Sequence, residues 1–339
     1  MPRPMPRLTL RKSSNATPSS HPFERAGLLT LARIFYRRQI FRMTGRQTRS
    51  TISMLAPATG LIAIFVLVPM VLTIGLSFTQ WSTQTGFETA SFVGLANFAD
   101  LLGPTSIGRD FRAAFGNTAI YTALSVALIL PLSVMLGLLV HQTFAPGGIL
   151  LRTVLFSTYM VPMIAVALVW SKLYSPTEGP INQMLGWVGI PPQAWLSSPR
   201  TALVSIVILN VWQQVGYFTV LAVAGLTQIP RSLYEAALVD GASAWMQFWR
   251  ITLPLLRNTL LFSAVIAVIN AVQVFEPVAL ITQGGPVNST NVMTYHIRRV
   301  GIERAQGGLG SAMAVTLMLS LIVVIVLLFT LLRDRGEQR

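Results

Sequence analysis

Charged residues are missing from six long stretches of this chain, and each stretch approaches the ~20 apolar residues that a membrane-crossing helix needs. The first lies between Arg49 and Glu88 and is centred on Leu61–Ile74. A second runs between Arg112 and Arg152, with its apolar centre from Ala119 to Val140. The third fills the interval from Arg152 to Lys172 and ends at Trp170 and Tyr174, side chains suited to a membrane–water interface. Arg200 and Arg231 bound the fourth, the fifth starts after Arg257, and the sixth, Ser311 to Leu332, stops at Arg333. Composition agrees. Only 11% of the 339 residues are charged and 53% are hydrophobic, giving a mean hydropathy of +0.61. A soluble domain carries about 25% charged residues, and disorder needs low hydrophobicity, so both classes are excluded.

With no cysteine, the chain has no disulfide framework, zinc ribbon, iron–sulfur cluster or thiol nucleophile. His21, His141 and His296 are too scattered for a metal site, so no metal or cofactor is expected. The net charge of +14 would raise nucleic-acid binding, but its distribution argues otherwise. Arg3, Arg7, Arg11, Lys12, Arg25, Arg33, Arg37, Arg38, Arg42, Arg46 and Arg49 all precede the first span, opposed only by Glu24. A basic tail beside hydrophobic spans marks the cytoplasmic side, with membrane lipids as the natural partner and no nucleic acid. Leu31, Ile34 and Phe35, alternating with Arg33, Arg37 and Arg38, leave room for a lipid-binding amphipathic helix there.

Six spans put both termini on one side. With the N-terminus inside, the inner segments hold the eleven tail residues plus Arg152, Arg231, Arg250, Arg257, Arg333, Arg335 and Arg339. The outer side keeps Arg109, Arg112, Lys172, Arg200, Arg298, Arg299 and Arg304. Eighteen against seven favours cytoplasmic termini. The expected organisation is a basic tail over 1–52 and a six-helix membrane domain over 53–335. Outer connections 79–115, 175–200 and 284–309 read as short helices and turns capping a mouth. On the inside, 141–150 reads as a tight turn through Pro146, Gly147 and Gly148.

The inner loop 227–255 has helical character of its own. Pro230 suits a helix start, and Glu235, Ala236 and Ala237 are strong helix formers. Asp240-Gly241 marks a turn, with Gly free to take the positive φ that stops the helix, and Ser243 can cap a second short helix. Pro254 closes the segment. This pattern of Glu235, Ala236, Ala237, Asp240, Gly241, Ala242, Ile251, Leu253 and Pro254 resembles the EAA loop of ABC-importer permeases. Phe92, Val93, Gly94 and Leu95 with Asn97 and Phe98 extend the likeness. So do Trp170, Gly179 and Asn182, and then Thr282, Gly284, Gly285, Pro286, Ser289 and Thr290. Together they resemble the carbohydrate-type permeases, specifically the first subunit of maltose and glycerol-3-phosphate type systems.

The resemblance implies an all-α integral membrane protein, a type I ABC importer permease with six transmembrane helices and a cytoplasmic coupling loop. It implies residence in a bacterial cytoplasmic membrane and import of a sugar or oligosaccharide. The implied partners are a second homologous permease, a dimer of ATP-binding subunits and an extracytoplasmic solute-binding protein. This chain is then no enzyme. Lys12 and Lys172 are its only lysines and neither follows a glycine, so no P-loop exists. ATP and magnesium would belong to the partners.

Polar groups at membrane depth invite a functional reading. Asn210, Gln213, Gln214 and Tyr217 fall on one face of the fourth span, while Asn270, Gln273 and Glu276 recur every three residues in the fifth. Facing each other, they would line a solute path, with Trp212, Tyr217 or Phe275 to stack on a sugar. Interhelical hydrogen-bond glue wants the same residue types and stays open as the alternative. Two other functions are weighed. Glycerol-3-phosphate or a glycerophosphodiester would prefer basic residues, which the stripes lack. A stand-alone secondary transporter would show paired repeats, and none is found.

Overall fold

The computed structural model describes residues 51–86, 88, 90–142 and 146–332. The basic tail with its amphipathic stretch, residues 143–145 of the inner turn, and Arg333, Arg335 and Arg339 lie outside the described residues. The chain divides into two compact units, 1–69 and 70–339. In the first, the described residues belong to helix α1 (Thr51–Leu76), which passes through a π-helical turn at Ala63–Leu67. Ile52, Leu55, Leu61, Ile64 and Phe65 are all exposed in this chain, an apolar surface compatible only with lipid or other protein.

The second unit holds the remaining elements. A hairpin of β1 (Thr79–Gln80) and β2 (Ser91–Phe92) precedes α2 (Ala96–Leu102). Asn97 donates from Nδ2 to the carbonyls of Ser77 and Thr79, both at 2.9 Å, and so ties that helix to the hairpin. Next come α3 (Ser106–Gln142), α4 (Pro146–Met160), α5 (Met163–Leu173) and the short α6 (Pro180–Trp187). Helix α7 (Ala202–Leu226) leads to the hairpin of α8 (Arg231–Val239) and α9 (Ala244–Leu255). The chain closes with α10 (Arg257–Val272), α11 (Met293–Arg298) and α12 (Gly307–Leu332).

Hydrocarbon offers no partner to backbone N–H and C=O groups, so the long apolar runs must close their hydrogen bonds internally as helices. Their burial separates post from periphery. In α7, 61% of the most apolar window is buried, against 17% in α12. Around α7 pack α3, α4 and α10. Tyr121 and Ile129 of α3 meet Ile206, Val211 and Phe218 of α7 and Ala267 and Ala271 of α10 in the main core. Close approach depends on a small residue. A Cβ on Gly216 would run into the carbonyl of Leu155, so only glycine lets α4 lie against α7 there.

Among the described residues, four helices are long and apolar enough to cross a membrane, and two bent helix pairs meet the same length and composition if each is taken as one span. This corrects the third span, expected as one piece. Its halves, α4 and α5, meet at 98° across Val161-Pro162. Proline has no N–H and disfavours the helical conformation in the residue before it, so the ladder stops at Met160. The fifth span is corrected too. Helix α10 ends at Val272, Gln273 is its cap residue, and helical geometry resumes only at Glu276, running into a π turn at Val278–Thr282. Pro277 explains the stop: its ring would clash with the carbonyl of Gln273, four residues back. The continuous stripe of Asn270, Gln273 and Glu276 on one helix therefore does not form.

Candidate functional sites: the inner hairpin and the intramembrane amides

The α8–α9 hairpin forms from local chemistry. Helix α8 ends where the amide of Asp240 reaches the carbonyl of Ala236 at 3.0 Å and that of Ala242 reaches Ala237 at 2.8 Å. Gly241 takes φ +76°, the left-handed conformation that closes a helix end. Ser243 Oγ then accepts from the amide of Met246 at 3.3 Å as the cap of α9. Across the hairpin, the hydroxyls of Tyr234 and Thr252 meet at 2.9 Å, and Gln247 Nε2 donates to the carbonyl of Ala242 at 3.1 Å. Glu235 lies 3.5 Å from Arg231 with both side chains largely exposed.

Of the expected motif residues, Glu235, Ala236, Asp240, Gly241 and Pro254 are exposed, and Ala237, Ala242, Ile251 and Leu253 are half-buried. Pro254 lies within the last turn of α9, and the break comes at Leu256, where α9 meets α10 at 67°. The sequence reading missed the hairpin's apolar surface. Trp245 and Trp249, one turn apart, stack edge-on at 5.5 Å and are 71% and 49% exposed, beside open Leu238 and Val239. Their signal was an aromatic pair at i, i+4 in a loop bounded by spans.

The intramembrane amides behave differently. Gln214 Nε2 donates to Asn210 Oδ1 at 2.8 Å, and Asn270 Nδ2 donates to Gln214 Oε1 at 3.2 Å. This ladder binds α7 to α10. Gln213 turns elsewhere: its Nε2 donates at 3.0 Å to the carbonyl of Val161, which the break in the third span has left without a helical donor. Thr158 Oγ1 lies within 3.2 Å of the Gln213 carbonyl on the same seam. Asn210, Gln213 and Gln214 are all buried. The structure thus brings Asn210, Gln214 and Asn270 together and separates Gln213 from them. Tyr217 stacks on Tyr159 at 4.8 Å, and Trp212 meets Trp170 edge-on at 5.6 Å. Gln273 and Glu276 are exposed, and Phe275 between them carries the guanidinium of Arg298 at 5.7 Å.

Beyond the fifth span the chain folds back as an ordered cap. Thr290 Oγ1 bonds to Thr282 Oγ1 at 2.7 Å and to the carbonyl of Gly285 at 2.6 Å. Asn117 of α3 donates to the carbonyls of Asn288 and Asn291 at 2.8 and 3.2 Å. His296 is fully buried beneath, beside Asn291, and burial lowers its pKa to about 4 although Asp110 opposes the shift.

An exposed hairpin between apolar helices, an ordered cap beyond the fifth span and a satisfied polar seam describe the molecule, and comparison with known chains decides its family. Residues 133–338 match the family described as binding-protein-dependent transport system inner membrane component. The chain belongs to that family. Among its relatives is the trehalose/maltose transport system permease protein of Thermococcus litoralis, 31% identical over 84% of this chain and 92% of that one. The diacetylchitobiose uptake system permease protein of Streptomyces coelicolor is 32% identical over 80% and 79%. A crystal structure of a bacterial alginate ABC transporter, in complex with a pentasaccharide-bound periplasmic protein, matches with a TM-score of 0.72. It is 25% identical and covers 85% of this chain and 95% of that one. This transport component is therefore a multi-pass inner membrane permease of the ABC importer class, with the type I fold expected from its EAA loop.

Proposed function

We propose that this permease moves a sugar or oligosaccharide inward by alternating access. In this reading a solute-binding protein delivers the sugar and a dimer of ATP-binding subunits drives the cycle. A second homologous permease completes the pathway, both termini are cytoplasmic, and ATP and magnesium sit on the partners. The carbohydrate names of its relatives support the solute class, and the alginate complex with its periplasmic protein supports the delivery step.

The observation that carries the coupling role is the rigid, open hairpin. Tyr234 and Thr252 lock α8 to α9, while Trp245, Trp249 and Val239 keep about half or more of their surface open among the described residues. Force applied there reaches α10 through Leu256, which is buried against Val134 and Leu226. From α10 it passes to α7 through the Asn270–Gln214 bond. The solute path is then read at Tyr217, Gln273 and Glu276, whose side chains retain open surface. The ladder residues Asn210, Gln214 and Asn270 serve as the seam between the helices that frame it.

Gly241→Val in the complete transporter tests the assignment. Nothing lies within 4 Å of an added Cβ, so the substitution strains only the φ +76° turn. Left-handed backbone costs a branched residue about 1–2 kcal/mol, and the turn should open or shift. Uptake and solute-stimulated ATPase should fall together by roughly tenfold, with the permease still inserted. Normal transport by an assembled variant would sink the reading.

A further inference from the structure

The sequence motif at Gly179 and Asn182 has no part in coupling or in the solute path. The structure gives Asn182 a defined job. It is buried within α6, and its Nδ2 donates to the carbonyls of Ser175, Pro176 and Gln193 at 3.3, 3.2 and 3.0 Å. Its Oδ1 accepts from the amide of Gln193 at 3.0 Å and from Trp195 Nε1 at 2.8 Å. One side chain thus closes the whole 175–195 hairpin. The base of that hairpin is fixed in turn: Tyr174 donates from its hydroxyl to the carbonyl of Ser205 at 2.9 Å and packs on Trp195 at 5.5 Å.

This bracing holds outward a face that water does not favour. Met184, Trp187 and Val188, at i, i+3 and i+4, are 59%, 81% and 71% exposed, and Ile190 continues the patch. Between Glu178 and Arg200 there is no charged residue at all. An aqueous protein contact would carry a polar, charged rim. A stretch without charge, bearing an exposed tryptophan and lying directly after a span, has instead the chemistry of the headgroup–acyl boundary. The span that leads into it, α5, likewise carries exposed Ile164, Leu168 and Val169. We propose that α6 lies in the bilayer interface and anchors this end of the bent third span to lipid through Met184, Trp187 and Val188.

Helix α5 gives the anchor its use. The bend at Val161-Pro162 leaves α5 with 11 residues, about 16 Å of helix and half a bilayer. A half-span with no continuous partner through the membrane gains a fixed depth if its outer end is held at the interface.

The test uses the complete transporter in nanodiscs. This chain has no cysteine, so Met184→Cys and Val188→Cys, each labelled with an environment-sensitive fluorophore, report the patch, with Glu178→Cys as the exposed control. The wild-type complex, whose copy of this chain has no thiol, supplies the background. Lipids carrying a doxyl group near the headgroup should quench labels at 184 and 188 several-fold more than the label at 178, and aqueous iodide should show the reverse order. Iodide quenching at 184 and 188 equal to that at 178 would overturn the anchor. Protection from both quenchers would also overturn it, in favour of a protein cover such as the second permease or the solute-binding protein. Neither result bears on the solute reading, which rests on other residues.

Discussion

The α8–α9 hairpin and the α7–α10 seam are both places where the sequence puts unusual residues in an unusual setting, yet their hydrogen bonding and burial point in opposite directions. In the seam, Asn210, Gln213, Gln214 and Asn270 all find partners within the chain. In the hairpin, the α8–α9 turn and the Ser243 cap are closed, but Trp245, Trp249, Leu238 and Val239 remain open. Polar residues in lipid must be satisfied at once, because an unmet amide there is costly. Apolar residues in water can wait for a partner. Completeness is thus the sign of a framework, and an uncovered apolar patch on a rigid hairpin is the sign of a contact yet to be made.

The sharpest way to break this contrast is to remove the open tryptophans. Aromatic residues of this kind dominate interfaces, and truncating one costs about 2 kcal/mol or more when it is a hot spot. Trp245→Ala with Trp249→Ala should therefore weaken capture of the ATP-binding subunits by at least roughly 30-fold, measured by co-purification at graded subunit concentration. The permease's own melting temperature should fall much less, because both rings keep about half or more of their surface open. A large fall in melting temperature with unchanged capture would place these rings in the framework instead.

Gln213 makes the complementary case. Gln213→Leu keeps the volume and leaves the part-buried Val161 carbonyl without its donor, a loss of about 1–3 kcal/mol. Thermal unfolding of the purified complex should occur at lower temperature, while the solute preference of the surviving protein stays as it was. A changed preference at unchanged stability would return Gln213 to the solute path.

The two regions also differ in what the chain's order of residues disclosed. The hairpin was legible because its signals are local: a glycine that tolerates positive φ, a serine three residues before the amide it caps, and strong helix formers ahead of them. Six charge-free intervals were legible for a similar reason, since each is a property of one segment. Counting charges is blind to direction, however, and Met160, Val161 and Pro162 read as part of a straight span although Pro162 already limits Val161. Asn210, Gln213, Gln214 and Tyr217 do lie on one continuous helix. What no periodicity could supply was the neighbour each residue meets: α10 for Gln214, the broken end of α4 for Gln213, and Tyr159 for Tyr217. The fifth-span stripe failed at Pro277, whose effect falls four residues upstream on Gln273.

That failure defines the finest test of the comparison. Gln273 and Glu276 came into view as members of a helical stripe, and they end as exposed side chains flanking a non-helical step at Val274 and Phe275. Irregular backbone at membrane depth persists only where protein buries it or a water-filled cavity takes it up. Here the two open side chains make the cavity the better account, since a carboxylate among lipid tails costs about 2.5–3.5 kcal/mol even on the lenient insertion scale. Neither side chain hydrogen-bonds within the described residues, so Gln273→Ala and Glu276→Gln remove nothing from the framework. Melting temperature and ATPase coupling should hold. If each group offers a sugar hydroxyl one bond of ordinary net strength, about 0.5–1.5 kcal/mol, the half-saturating solute concentration should rise roughly two- to tenfold, or the order of preferred sugars should change. A loss of assembly with no change in solute response would instead put both residues on the seam, beside Asn270, and move the solute site to another part of the transporter.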